Sequence, residues 1–581
     1  MPAGISSYRA PFMGTTHVVS SNNYHASAAG YGILEEGGNA VDAGVATGLA
    51  INVTMPQMTN LGGVAPIIMY LADRAEVQTV SGLGRWPKGA TLQAHIERYG
   101  HEIPSGMASV VVPSAADAWL TALERYGTMS FEQVVAPALE LAERGYPYTP
   151  SMLRMATRFE DFLKDWPANG EMFMPGGEHR RVGDLFTQHE LAGTFRRMIA
   201  AERSAASRGR AGAVRAARDY FYRGDIAQEI ASFCRDKGGF LTAEDLGDFH
   251  VKVEPPQRGS YKGLDIYTCG FWCQGPALIQ VLHILEGMDI GGLGHNSAGY
   301  LHVLVEAIKL VFSDRHSYYG DPEFVDVPAD GLLSKEYASL RRTLIDGERA
   351  WPEMPPAGDP VGMNHRRDEE AVATLDGGAQ DTGREDEGGT AQLCVVDRWG
   401  NAFSATPSDL TVHAPLVPGL GVGISPRGAQ AWLEPSHPSC LEAWKRPRLT
   451  PNPSLALRGG KVAMAFGTPG VDAQVQAMTQ MLMNIVEFGM DPQQAVEAPR
   501  VISASHPDSN WPHAYFPAVV RAEARIPEQT LRDLESRGHK IERWPDFGAR
   551  AGSLCVITVD HERGLLVGGA DPRLESAAVG R

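Results

Sequence analysis

The junction EDEGG–TAQLCVVD carries the residues best suited to covalent chemistry: Gly389, followed by Thr390 at the head of an apolar, strand-like run. Glycine has no Cβ, so its carbonyl is accessible and its backbone can take angles closed to other residues. The hydroxyl of Thr390 can attack that carbonyl, form an ester and, on hydrolysis, release a new N-terminus. A free α-amine has a pKa of about 7.7–8.0. At neutral pH it can act as general base for the hydroxyl beside it, which makes an N-terminal threonine an activated nucleophile. Threonine is also common at strand starts, so the junction alone leaves an ordinary strand start open.

Other chemistries lack their residues. There is no HExxH and no phosphate-binding loop, and the eighteen histidines form no metal-ligand spacing. HNSAG at 295–299 lacks the first glycine of a nucleophile elbow, and GLGVG at 419–423 lacks the third glycine of a dinucleotide site and reads as a turn. The six cysteines fit neither a disulfide framework nor a zinc motif; scattered thiols of this kind point to a reducing cytoplasm. A net charge of −17 argues against nucleic-acid binding, which needs phosphates neutralised. No apolar run is long enough to span a membrane, and the N-terminus has no basic start leading into an apolar core, so no signal peptide is expected.

The elements that must position Thr390 follow from periodicity and punctuation. In HASAAGYGILEEGGNAVDAGVATGLAINVT one helix stops at Gly37-Gly38, and Asn39 caps a second. PIIMYLAD and VQTVSGL read as strands, and helices occupy much of 115–144. Residues 200–218 are Ala/Arg-rich and read as an exposed helix or a mobile insertion. Thr242 caps a helix, DIYTCGF is a strand, Pro276 to Glu286 is helical, and Ser297 caps a longer helix. Residues 355–389 are charged and glycine-rich and read as an exposed loop. Beyond it, TAQLCVVD–RWGN–AFSAT forms a hairpin, and LALRGGKVAMAF and SLCVITVDHERGLLVGG repeat that design around the helix AQVQAMTQMLMNIVEFG.

Six separated motifs in order, ILEEGGNAVDAGVA, NLGGVAPIIMY, GGFLTAEDLGDF, HVLVEAIKLVFSDRHSYYGDPEFVDVP, TAQLCVVDRWGNAFSAT and GTPGVDAQVQ, resemble the γ-glutamyltransferase family over nearly the whole chain. The resemblance implies an α/β (α+β) fold, the four-layer αββα sandwich of the N-terminal-nucleophile hydrolases. It implies one composite domain cut into a large subunit, 1–389, and a small subunit, 390–581, that stay together and could pair as a dimer of heterodimers. It implies Thr390 as nucleophile, Gly389–Thr390 as the cleavage site, Ser408 as the hydroxyl supporting the nucleophile, and the backbone N–H groups of Gly470 and Val471 as the oxyanion hole. No cofactor and no metal are required.

The expected substrate is a small amide bearing a carboxylate, and here the chain departs from true γ-glutamyl enzymes. Their Arg-Glu pair becomes Leu83-Gly84, with Arg85 one residue on. Two serines become Leu449 and Thr450, an asparagine becomes Leu410, and the expected acid is absent from SPRGAQAW. The pattern is more similar to oxamate amidohydrolase and cephalosporin acylase types, with Arg85, Arg427 and Thr450 as candidate substrate contacts. The expected activity is amide hydrolysis or acyl transfer through an acyl-threonine ester. The alternatives are a γ-glutamyl transferase or glutathione hydrolase with a rearranged pocket, an uncleaved inactive homologue serving as a binding protein, and a surface-polymer acyltransferase, which the absent signal sequence disfavours.

Overall fold

The computed structural model describes residues 7–365 and 389–581. Its local starts and stops follow sequence chemistry. Asn39 caps helix Ala40–Thr54 in a reciprocal box with Asp42, and Thr242 does the same with Asp245 for Ala243–Asp248. Gly37, at φ +95°, closes the turn after helix Tyr24–Glu35.

Two antiparallel seven-stranded sheets dominate. The first runs in the order Phe12–Gly14, Leu565–Ala570, Cys555–Asp560, Lys461–Gly467, Ser454–Arg458, Leu264–Thr268 and Gln257–Tyr261. The second runs Ala577–Gly580, Val18–Ser21, Leu393–Val396, Ala402–Ala405, Ile67–Leu71, Glu76–Val80 and Val253–Glu254. Side chains alternate along each strand, so both faces are used. Cys394, Val396, Ile68 and Tyr70 of the second sheet pack against Leu455, Ala465 and Ile557 of the first. Leu393, Val395, Phe403 and Ile67 turn the other way, into the core formed with helices Ala40–Thr54 and Phe131–Arg144. On the far side of the first sheet, Ile266, Met464 and Phe466 pack under helices Gly275–Glu286, Ala298–Tyr318 and Ala473–Val486. The approach is tight behind the Leu393–Ala405 hairpin: a Cβ on Gly44 would lie 2.4 Å from the Phe403 ring, so helix Ala40–Thr54 can seat there only with glycine at that position.

The structure adds to and corrects the reading of the sequence. Residues 200–218 fall in helices His189–Ser204 and Gly209–Arg223, joined through the 3-10 turn Ala206–Arg208, and Arg218 is buried against Asp117 rather than exposed. The start of the expected 355–389 exposed loop is packed: the Gly358 N–H donates to Asp314 at 2.9 Å, and Arg341 donates to the Pro356 carbonyl at 3.0 Å. Residues 366–388 lie outside the described residues. The strands Phe12–Gly14, Val18–Ser21 and Ala577–Gly580 carry too little alternation to read from sequence; pairing with neighbours distant in the chain makes them strands.

Imidazoles gather in the interior. His316, His437 and His513 surround Trp432, and His506 lies by Asp472. Burial pushes His316 down to about 3 and His506 and His513 down to about 4. The unfolded chain takes up these protons near pH 6.5, whereas the folded protein takes them up only near pH 4 or below. Their stabilising effect is therefore complete above pH 6.5 and is lost as the pH falls toward 4. Thermal unfolding followed by circular dichroism should show Tm falling by roughly 5 °C or more between pH 7 and pH 4.5.

Candidate active site

Hairpin register builds the site. Leu393 pairs with Ala405 and Val396 with Ala402 across the turn. Thr390, before the first strand proper, and Ser408, after the second, keep the same register as an isolated bridge. The flanking bonds are Ala391 N–H to the Pro407 carbonyl, 2.9 Å, and Asp409 N–H to the Gly389 carbonyl, 3.2 Å. Thr390 and Ser408 are thus a non-hydrogen-bonded pair, the arrangement in which facing side chains come closest. Their hydroxyl oxygens lie 2.8 Å apart and both residues are buried.

Ser408 Oγ has two further partners: the Gly389 carbonyl at 2.5 Å and Arg427 Nη2 at 2.5 Å. A hydroxyl has one hydrogen. A carbonyl only accepts and a guanidinium only donates, so Ser408 donates to Gly389 and accepts from Arg427. Thr390 must then donate to Ser408. The proton of the candidate nucleophile points at Ser408, and the Gly389 carbonyl oxygen receives two donors, Ser408 O–H and Asp409 N–H.

Gly389 fits because it is glycine: a Cβ there would lie 2.0 Å from Leu410 Cγ. Gly389→Ala should displace the carbonyl from Ser408 and slow any cleavage of the following bond by about tenfold or more, with Leu410→Ala restoring most of the rate. Quantifying cut and uncut chain on denaturing gels would measure both effects.

Gly470 and Val471 follow strand Lys461–Gly467, whose Gly467 abuts Gln392, two residues from Thr390. Gly470 has φ +124° and Val471 φ +49°, a left-handed backbone that costs a β-branched residue about 1–2 kcal/mol. Neither N–H meets an acceptor among the described residues, and both residues are half-exposed. The turn leads into helix Ala473–Val486, whose N-terminus favours negative charge. It is held from behind. Gln274 donates to the Val471 carbonyl at 2.7 Å and to the Thr450 carbonyl at 2.9 Å, while its own oxygen accepts from Arg315 at 2.6 Å. Arg315 also pairs with Asp472, which receives Ser509 N–H and Oγ. Burial opposes the charge on Asp472, but Arg315 and its other partners keep that carboxyl well below its ordinary range.

A family model described as Gamma-glutamyltranspeptidase matches residues 26–581. The chain belongs to the gamma-glutamyltranspeptidase family. It is 31% identical over 570 residues to the glutathione hydrolase-like YwrD proenzyme of Bacillus subtilis strain 168, covering 98% of this chain and 99% of that protein. It is 31% identical over 586 residues to the acylase ACY 1 proenzyme of Pseudomonas sp. strain SE83, covering 98% and 94%. The crystal structure of cephalosporin acylase from Bacillus halodurans superposes with a TM-score of 0.85 at 28% identity, over 99% of this chain and 98% of that one. The chain is therefore a member of a family of hydrolases made as proenzymes.

Within this gamma-glutamyltranspeptidase family member, the candidate substrate contacts divide. Arg427 reaches Ser408 and Asp409, and its buried Nε has no partner among the described residues. Arg85 instead donates to the Trp444 carbonyl at 2.8 Å and pairs with Glu323 at 2.7 Å. It belongs to an ion cluster in which Arg446 binds Asp321 at 2.7 Å and Glu254 at 3.1 Å. Thr450 is fully buried, and its hydroxyl accepts from Gln430 at 3.0 Å. Asp409 and Gln274 have no sequence signal of their own, although Asp409 adjoins Ser408. Among the described residues, two groupings bring three candidate metal ligands together: His302, Glu306 and His539, and Asp472, His506 and Asp508. Lys309 already binds Glu306 at 2.8 Å, and Arg315 binds Asp472. These cations supply the countercharge that an ion would otherwise provide.

Proposed function

We propose that the chain is a self-cleaving amidohydrolase, with the αββα sandwich of the N-terminal-nucleophile hydrolases, that cuts Gly389–Thr390 and then uses Thr390 on small amides. The observation that carries this reading is the Ser408 hydroxyl, joined at once to the Thr390 hydroxyl and the Gly389 carbonyl. As Thr390 Oγ1 adds to the Gly389 carbonyl carbon, its proton passes to Ser408 Oγ and the Ser408 proton moves toward the carbonyl oxygen. Collapse breaks the C–N bond, the nitrogen takes the proton, and an ester joins Gly389 to Thr390 Oγ1. Water then releases the Gly389 carboxylate and the Thr390 hydroxyl, now beside a free α-amine. Residues 1–389 and 390–581 would stay together, because each large sheet takes strands from both.

In turnover, the α-amine serves as base, and the Gly470 and Val471 N–H groups receive the oxyanion of the acylation intermediate. Water as acceptor gives hydrolysis; an amine would give transfer. Arg427, one hydrogen bond from the nucleophile's partner and with a buried Nε that no described residue meets, is better placed for a substrate carboxylate than Arg85, which Glu323 and Trp444 hold. Among the described residues, the carboxylate beside Ser408, that of Asp409, is already paired with Arg427 and is not left to a substrate ammonium. The glutathione hydrolase-like and acylase names of the relatives fall on either side of this distinction.

Glutaryl-p-nitroanilide and γ-glutamyl-p-nitroanilide differ only by that ammonium. The glutaryl compound should be cleaved with a kcat/KM at least about tenfold higher, since an unpaired charge costs more than 1.4 kcal/mol. A preference for the γ-glutamyl compound would favour the glutathione hydrolase reading. No release of p-nitroaniline from either by cleaved enzyme would count against a carboxylate-bearing acyl group.

A further inference from the structure

We propose that Arg427 is a positioning residue for self-cleavage, because a single guanidinium nitrogen sets both hydrogen-bond donors that act on the Gly389 carbonyl; this rests on the reading of Thr390 as the self-cleaving nucleophile. Arg427 is 8% exposed and opens the short helical turn Arg427–Gln430. That turn is held rigidly: a Cβ on Gly428 would lie 2.4 Å from the Trp86 ring and 2.5 Å from the Ser109 carbonyl.

From there Nη2 forks to Ser408 Oγ and to the Asp409 carboxylate. The first branch fills an acceptor position on Ser408, with Thr390 on the other, so the Ser408 hydrogen is left for the Gly389 carbonyl. The second branch steadies a strained residue. Asp409 has φ +89°, outside the usual range for a residue with a side chain. Its carboxylate is gripped by Arg427 and by Ser425 Oγ at 2.6 Å, and its carbonyl by Asn60 at 2.9 Å. That grip aims the Asp409 N–H at the Gly389 oxygen, 3.2 Å away. Without Arg427, the Ser408 hydrogen is free to rotate, the Asp409 turn can relax, and a positive charge one hydrogen bond from a donor to the developing oxyanion is gone.

The effect belongs to the first step, in which the Thr390 oxygen bonds to the Gly389 carbon, the Gly389–Thr390 C–N bond breaks and its nitrogen gains a proton. It does not belong to ester hydrolysis. Full-length wild type, Thr390→Ala, Arg427→Met and Arg427→Lys would be made by cell-free translation at neutral pH and followed by intact mass, with and without hydroxylamine, which cleaves esters. Cleavage of Arg427→Met should be slower by about 10²-fold, approaching the cost of losing an oxyanion donor outright, because the Ser408 O–H and the Asp409 N–H both lose their aim. Arg427→Lys should recover at least tenfold of that loss, and hydroxylamine should leave Arg427→Met slow. The melting temperature of Arg427→Met in a Thr390→Ala background should stay within a few degrees of Thr390→Ala alone. Should Arg427→Met fail to fold, Arg427→Gln, which keeps an uncharged N–H donor, is read by the same criteria.

Cleavage of the variant within threefold of wild type, or rescue of its rate by hydroxylamine, would overturn the assignment. Wild type that is cut while Thr390→Ala is not, with Arg427→Met as fast as wild type, would sink this inference alone. An uncut wild type would instead sink the reading on which it rests.

Discussion

Thr390→Ala should remain a single 581-residue chain through days of incubation, while the wild type resolves by intact mass into pieces 1–389 and 390–581. The expectation is all-or-none because the substitution removes the attacking atom while leaving its surroundings in place. Ser408 keeps Arg427 and the Gly389 carbonyl as partners and loses only the Thr390 hydroxyl, so the variant should fold with a stability change of about 1 kcal/mol. Thr390→Ser retains the oxygen and should be cut, more slowly because serine's side chain is less confined than a β-branched one. Ser408→Ala separates the roles further: it leaves the nucleophile but removes both its proton acceptor and one donor to the scissile carbonyl, so cleavage should slow by about 10²–10³-fold. Cleavage of Thr390→Ala at the same bond would mean that another group, or a contaminating protease, cuts there, and the self-cleavage reading would be lost.

How much of this was legible in the sequence depends on the distance over which each contact is encoded. The hairpin after Thr390 is local: alternation and a polar turn specify it, and the register that places Ser408 opposite Thr390 follows by counting outward from that turn. Helix starts at Asn39 and Thr242 are equally local, since the capping side chain lies within three residues of what it caps. The strands Val18–Ser21 and Ala577–Gly580 were not legible, because they are strands by virtue of each other and of Leu393–Val396. The same limit applies to the site. Arg85 and Arg427 look alike in sequence, and only the surrounding fold gives one to Glu323 and the other to Ser408. Thr450 reads as a pocket residue, but Gln430 and Gln274 occupy its polar atoms. Gln274 itself, at the head of a helix far upstream, carries no local sign that its amide reaches Val471.

That amide supports the second large effect, and one that separates turnover from self-cleavage. Gln274→Leu should lower kcat on whichever p-nitroanilide the cleaved enzyme accepts by about 10–100-fold, with KM changed less than threefold and self-cleavage unaffected. Val471 holds a left-handed backbone unfavourable for a β-branched residue, and its carbonyl is fixed by Gln274 Nε2 at 2.7 Å. With that bond gone, the peptide can rotate toward an ordinary conformation and carry its N–H away from the position an oxyanion would occupy. Arg315 loses its 2.6 Å acceptor but keeps Asp472, so the buried guanidinium remains paired and the fold should survive. Self-cleavage escapes because the donors on the Gly389 carbonyl are Ser408 and Asp409, neither of which touches Gln274. Gln274→Glu sharpens the comparison: it would pair with Arg315 yet present oxygens to the carbonyls of Val471 and Thr450, so it should be as slow as leucine despite its shape. A Gln274→Leu enzyme with unchanged kcat would show that the Val471 turn holds its conformation without help. Loss of cleavage and turnover in equal measure would place Gln274 in general folding rather than in the alignment of the oxyanion donors.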